Sequence, residues 1–431
     1  SVQCKNNSMT SHLNLAEEVS LGLYWATTSL IAPFLGLYLK KRVRRGKEHP
    51  ERWREKQGFA SAERPSGKLI WLNAVGLGEV MALRGLILEL HTRDPEFHFL
   101  VTSSTQASAA FFAQNLPPNT QHQFLPLDSP VFTWRFLGHW RPDLALWSEQ
   151  DVWPGLVRQT ALRNIPQALI NLRMSETSFR NKTHVRALFR TTYKKFALIS
   201  AQEQNTAKAL KKLVAREDIQ IDGSLKPHCP PLFVDPETRA EFAAATVGRP
   251  LWLAASCHPQ DEDLALAAQR LLSTKGGSPL LILAPRYPSR TEEILAKLDG
   301  LSVKVRSRGE LPDPQTQIYL ADTFAEMGLW YTSAEQALIG GTFSAVEGHN
   351  PWEALQLGCG VLHGPRVENF ASDFETLGQA GACFAVHSTE DVVTLITSPP
   401  TRGLESFERL QDAYRTKLRT LTDQLLGLVQ A

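Results

Sequence analysis

Two short stretches place carboxylates where chemistry is expected of them. Val75-Gly-Leu-Gly-Glu79 sets an acid just after a glycine-rich turn, opening an amphipathic run that continues to Leu90. The positive end of a helix keeps such a carboxylate ionised, and glycines leave room for a substrate beside it. Glu79 therefore suits a general base. It equally suits an ordinary N-terminal glutamate complementing the helix dipole, and spacing leaves the two readings even. Ser148-Glu149-Gln-Asp151-Val-Trp153-Pro154 puts Glu149 at the carboxyl end of an apolar strand, or makes the group a capping cluster ahead of Pro154. An extended backbone would aim Glu149 and Asp151 at one face, whereas a turn starting at Gln150 would separate them.

Anion-binding groups recur at other strand ends. Asn171-Leu-Arg173-Met-Ser175 offers a guanidinium either to an anionic ligand or to Glu149 or Glu176. Gly223-Ser-Leu-Lys226 offers a hydroxyl, a turn and an ammonium. Ala255-Ser-Cys-His258 and Pro285-Arg286 follow apolar runs, and the fork of Arg286 matches phosphate or carboxylate. The densest stretch is 340–353, Gly-Gly-Thr-Phe-Ser-Ala-Val-Glu-Gly-His-Asn-Pro-Trp-Glu. The run Gln336–Ile339 reads as a buried strand ended by Gly340 and Gly341, with Pro351 and Glu353 opening a helix. Glycines let the backbone approach, and helix-start amides would face a phosphate. A purely steric role for Gly340-Gly341, and turn or cap roles for His349 and Asn350, fit the same letters.

These groups need a scaffold of strand ends. Apolar runs at 69–75, 97–102, 144–148, 167–171, 197–201 and 219–222 alternate with helical periodicity. That order predicts a parallel sheet covered on both faces. Residues 226–250, rich in proline and acids, read as a linker. A second series follows at 251–255, 280–284, 302–306, 317–320, 337–340, 360–362 and 383–386. The expected architecture is α/β: two Rossmann-like, doubly wound domains facing a ligand cleft. The expected divisions are a disordered tail at 1–20, an anchor with basic flank at 21–47 and a first domain at 48–226. A linker at 227–249, a second domain at 250–402 and a helix crossing back at 403–431 complete them.

Leu21–Leu39 contains no charged residue, and six of the next eight are basic. This is close to the ~20 residues that a membrane-spanning helix needs. The basic flank would keep the bulk of the chain in the cytoplasm. A buried or interfacial helix also fits, because Thr27, Thr28, Ser29 and Pro33 weaken the span. Met9 is a plausible start, with residues 1–8 a remnant before it. The formal net charge of +2 carries no nucleic-acid signature. Five scattered cysteines without CxxC point to a reducing compartment and away from a structural zinc site, and the twelve histidines form no ligand cluster.

The ordered motifs resemble the bacterial 3-deoxy-D-manno-octulosonic acid (Kdo) transferases, a metal-free group of GT-B glycosyltransferases. The likeness runs from about Leu23 to about Glu390. It is carried by the anchor with its basic flank, Arg52-Trp-Arg-Glu-Lys-Gln-Gly58, Gly78-Glu79, Glu149 with Trp153-Pro154, Asn171–Ser175 and Gly223–Lys226. In the second half His258, Pro285-Arg286, Asp322-Thr323, Gly340-Gly341, Gly348–Pro351 with Glu353, Gly364-Pro365 and Asn369-Phe370 continue it. The resemblance implies transfer of Kdo from CMP-Kdo to a lipid A precursor, inverting the anomeric carbon, at the cytoplasmic face of a bacterial inner membrane. Glu79 would be the base, with Glu149 as the second catalytic acid. Arg286, Gly340, Gly341, His349, Asn350, Glu353 and His258 would hold the donor, with Glu353 on the ribose. Gly78, Arg173, Ser175 and Lys226 would contact acceptor or donor. The implied partners are a CMP-activated sugar, a lipid acceptor and a membrane, without cofactor, metal or nucleic acid. Departures from the family pattern are Asn73-Ala-Val-Gly76, Asp151, Thr177 and Phe343–Glu347, most of them in or bordering the acceptor-side half. A relative with another lipid or glycan acceptor, or an idle lipid- or nucleotide-binding relative, stands as the alternative.

Overall fold

Short apolar runs bounded by glycine, proline and polar turns form two seven-stranded sheets, every pairing of which is parallel. The computed structural model describes residues 2–114, 116–174, 176–274, 279–298, 300–399 and 404–430. The chain divides into one unit of Ser1–Cys229 with Ala413–Ala431, and a second of Pro230–Asp412.

The first sheet contains β1 (Leu69–Asn73), β2 (His98–Ser103), β3 (Thr120–Phe124), β4 (Leu144–Ser148), β5 (Gln167–Leu172), β6 (Leu198–Ala201) and β7 (Ile219–Ile221). Its order is β3-β2-β1-β4-β5-β6-β7, with Ile70 opposite Phe99 on one side and Leu144 on the other. The order reverses between β1 and β4, which is where doubly wound sheets open a binding crevice. Trp71 and Trp147 are fully buried on these two strands and meet edge to face at 5.2 Å. Strand β3 was not foreseen: Thr-Gln-His-Gln-Phe lacks an apolar run because it is an edge strand, on which His122 and Gln123 find polar partners. Gln123 accepts from the Trp140 indole at 2.8 Å.

The second sheet contains β8 (Leu251–Cys257), β9 (Leu280–Pro285), β10 (Val303–Val305), β11 (Ile318–Leu320), β12 (Gln336–Ile339), β13 (Gly360–His363) and β14 (Cys383–Ala385). Its order, β10-β11-β9-β8-β12-β13-β14, reverses between β8 and β12.

Two expected divisions differ in the structure. A helix runs Val2–Arg44, so the first residues, expected to be disordered, continue it. No proline or glycine interrupts residues 2–21, and extending a formed helix costs far less than nucleating one. The expected linker holds a ten-residue helix, Pro236–Ala245, because Asp235 caps it by accepting from Thr238 N at 2.8 Å and Pro236 suits the first turn. Its Phe242 is buried 5.2 Å from both Tyr319 and Trp330. The helix Leu404–Gln430 begins in the second unit and ends in the first, where Leu418, Leu421 and Leu425 join the core against β1 and β2.

Candidate active site

In the first unit the predicted residues collect at the carboxyl ends of β1 and β4. The helix Leu77–Arg93 starts after Gly76, and Glu79 bends back to accept from Val75 N at 2.8 Å. Burial pushes its carboxyl above the ordinary range, and the charge of Asp151 adds to this. The amides of Val75 and Gly76 and the Lys226 ammonium act against it. A Cβ at Gly76 or Gly78 would meet nothing within 4 Å, so the space beside Glu79 is open.

Glu149 ends β4 in a left-handed conformation (φ 60°), a backbone that costs a non-glycine residue roughly 1–3 kcal/mol. This turn settles the alternatives left by spacing: Glu149 is half-buried, whereas Asp151 is exposed. Burial first, then the charge of Glu79, pushes the Glu149 carboxyl up to about 7, against Lys226 and Arg173. Lys226 opens a single helical turn, Lys226–His228, and its charge reaches both carboxylates. Glu79, Glu149, Arg173 and Lys226 thus form one electrostatic group. Ser175 lies outside the described residues. Asn171, also left-handed (φ 54°), accepts from Leu225 N at 3.0 Å and so ties β5 to the Ser224–Lys226 turn. Its side-chain nitrogen and the hydroxyl of Ser148 on the adjacent strand are buried without a hydrogen-bond partner among the described residues.

In the second unit the corresponding ends of β8 and β12 are joined by a residue that sequence reasoning missed. The Asp261 carboxylate accepts from three backbone amides: His258 N at 2.9 Å, Gly341 N at 2.7 Å and Phe343 N at 3.1 Å. Two amides of the expected phosphate cradle thus have partners within the protein: Gly341 N is held by Asp261, and Gly340 N donates to Ala255 O at 2.8 Å. The helix behind them, Trp352–Gln356, is also only five residues long. The backbone itself requires glycine at both positions. A Cβ on Gly340 would lie 2.3 Å from Ser256 O, and Gly341 has φ +74°.

Around that loop, His258 and His349 stack with ring centroids 5.3 Å apart and share an Nε2–Nε2 contact of 3.1 Å. Burial, with Arg286 and His258 adding to it, pushes His349 down to about 4, so the pair is neutral at neutral pH. Asn350 accepts from Trp352 N at 3.1 Å and donates to Glu353 at 3.4 Å. Burial raises the Glu353 carboxyl, against Asn350 and the charge of Arg286. Arg286 is exposed at the end of β9, its charge felt at His258, His349 and Glu353. The arrangement offers a cation, a neutral imidazole pair and a carboxylate around one strand-end loop. The one signal for Asp261 was an acid three residues after His258, which reads as an ordinary first-turn aspartate.

The family model for 3-deoxy-D-manno-octulosonic-acid transferase matches residues 51–228. The chain is 32% identical to the probable mitochondrial 3-deoxy-D-manno-octulosonic acid transferase of Arabidopsis thaliana, over 91% of this chain and 92% of the relative. It is 31% identical to the Haemophilus influenzae transferase over 89% and 90% of the two lengths. Among solved structures, the UDP-GlcNAc 2-epimerase of Neisseria meningitidis superposes with a TM-score of 0.53 at 13% identity, over 84% of this chain and 100% of that one. That likeness is one of fold alone, the paired parallel sheets of the GT-B type. Identity of 31–32% over nearly the full length, with the family model matching residues 51–228, places this chain in the 3-deoxy-D-manno-octulosonic acid transferase family of glycosyltransferases.

Proposed function

We propose that the chain transfers Kdo from CMP-Kdo to a lipid A precursor in lipopolysaccharide biosynthesis, inverting the anomeric carbon, at the cytoplasmic face of a bacterial inner membrane. The observation that carries this reading is the divided pair Glu79 and Glu149. Two neighbouring carboxyls in unequal surroundings take different protonation states, which separates a base from its neutral companion. Glu79, held by the Val75 amide, is the base; Glu149, pushed up to about 7, keeps its proton for much of the neutral range. Glu79 takes the proton of the acceptor hydroxyl as that oxygen bonds to the anomeric carbon, and CMP departs with the electrons of the broken bond.

Arg286, with its fork of donors, receives the charge that develops on the departing phosphate. Glu353 and Asn350 take the ribose, and His258 and His349 line the same loop, with Gly340 and Gly341 shaping its turn. Arg173 and Lys226 serve the acids and the anionic sugar or acceptor in the first unit. The test is incubation of the purified protein with CMP-Kdo and a lipid A precursor, with the products identified by mass. A product heavier by one or more Kdo units supports the reading; release of CMP without such a product redirects it to another acceptor.

A further inference from the structure

The apolar N-terminal helix does not stand away from the first unit. One of its faces, at Leu21, Tyr24, Trp25, Thr28, Leu35 and Leu39, is buried or half-buried along the length of the uncharged stretch. It packs on the helices Pro130–Trp140, Pro154–Ala161 and Arg186–Tyr193. Specific contacts hold it at both ends and between. The Tyr24 hydroxyl donates to Asp128 at 2.5 Å, and Trp25 lies under the Arg158 guanidinium at 4.5 Å. A Cβ on Gly36 would come within 2.9 Å of Gln57, Leu39 is 1% exposed, and Arg42 pairs with Glu48 at 2.6 Å.

The opposite face carries Val19, Leu23, Leu30, Phe34, Leu37 and Tyr38, all exposed. At 100° per residue these fall on one side of the helix. The three packing helices carry exposed apolar residues of their own at Val131 and Trp134, with Leu162 and Val185 at their ends. Lys40, Lys41, Arg44, Arg45 and Lys47, all exposed, extend the stripe with positive charge.

Contacts with the first unit run from Tyr24 to Leu39, roughly 22 Å of the helix, so most of what a ~30 Å hydrocarbon core would have to hold is docked on protein. Crossing that core would drag into lipid the charged helices on which it lies. The segment before it cannot substitute, because residues 2–20 include Lys5, Glu17 and Glu18. We infer that residues 19–39 form a monotopic helix lying in the plane of one leaflet. One face is docked on the first unit and the other sunk among the acyl chains, with the basic end on anionic headgroups. Trp134 and its apolar neighbours widen the contact. This rests on the reading that the enzyme works at a membrane, and it replaces the spanning anchor that hydropathy suggests. Helices of this kind sit ~5–10 Å into the headgroup–acyl boundary.

Depth measurement decides it without reference to turnover. In full-length protein carrying Cys4→Ser and Cys229→Ser, spin labels are placed singly at Leu23, Leu30 and Leu37 by cysteine substitution. The protein is then bound to vesicles of phosphatidylethanolamine and phosphatidylglycerol. Equal, shallow depths for all three are expected. A spanning helix would separate Leu23 from Leu37 by roughly 21 Å in depth and overturn the proposal. Labels that stay in water, or that become protected only through self-association without lipid, also overturn it. Trp134→Glu, at a site 63% exposed and so outside the core, is expected to weaken vesicle binding about tenfold with unchanged melting. Unchanged binding removes the flanking helices from the contact. Failure of transfer from CMP-Kdo would leave the depth result standing, so the two readings fail separately.

Discussion

Glu149, at the end of β4, sits in the field of Glu79, and that charge is second only to burial in pushing its carboxyl from 4.5 up to about 7. The folded protein therefore keeps a proton on Glu149 between pH 4.5 and about 7 that the unfolded chain releases. Stability contributed by this group is present below pH 4.5 and is lost as pH rises to about 7, on the order of 3 kcal/mol in all. Glu149→Gln has no such proton to lose, so its stability relative to wild type should improve from pH 5 to pH 8. Urea unfolding of both proteins at the two pH values checks this. Curves that shift in parallel would mean that Glu149 titrates in the folded protein as it does in water.

Glu79→Gln preserves the size of the side chain and an oxygen to accept from Val75 N, but removes the proton acceptor. Turnover on the lipid acceptor should fall roughly 10²–10⁴-fold. CMP affinity should change little, since the proposed CMP ligands belong to the second unit. Stability should change by less than about 1 kcal/mol. A variant that turns over at the wild-type rate would leave Glu79 as a helix-end carboxylate and move the search to Glu149.

Asp261 serves three amides, and its acceptor oxygens cannot be replaced by an amide side chain. In Asp261→Asn the NH₂ group faces a backbone N–H, leaving at least one buried donor unpaired at a cost of about 1–3 kcal/mol. Melting temperature should drop, and CMP should bind more weakly because the 340–343 loop loses its tie to the end of β8. Calorimetry with CMP on the same preparation tests both. Unaltered values would show that the loop holds itself.

Glu353→Ala should weaken CMP binding by roughly 1.5–3 kcal/mol, the worth of a hydrogen bond to a charged group. Titration calorimetry against CMP is the measurement, and an unchanged affinity removes Glu353 from the ribose.

The strands that carry the site were legible in the sequence because each is a local event. A run such as Gln336–Ile339 is short, apolar and closed by glycine, and a strand buried on both faces can have no other pattern. Thirteen of the fourteen strands among the described residues lie where such runs stand; β3 escaped because its burial comes from partners on other elements. Glu79 and Glu149 were legible for the same reason, as acids directly after strand ends. What the letters could not decide was which groups meet. Asp261 and Gly341 are eighty residues apart, and only the adjacency of β8 and β12 brings that carboxylate to that amide. The pKa of Glu149 likewise depends on groups arriving from separate strand ends: burial and then Glu79 raise it, and Lys226 and Arg173 act against them. The uncharged run Leu21–Leu39 determined an apolar helix. That one face of it belongs to the protein was decided by Asp128, Arg158 and Gln57, more than eighteen residues further along the chain or over a hundred. Hydropathy measures how apolar a helix is, and only packing determines which of its faces is left for something else to cover.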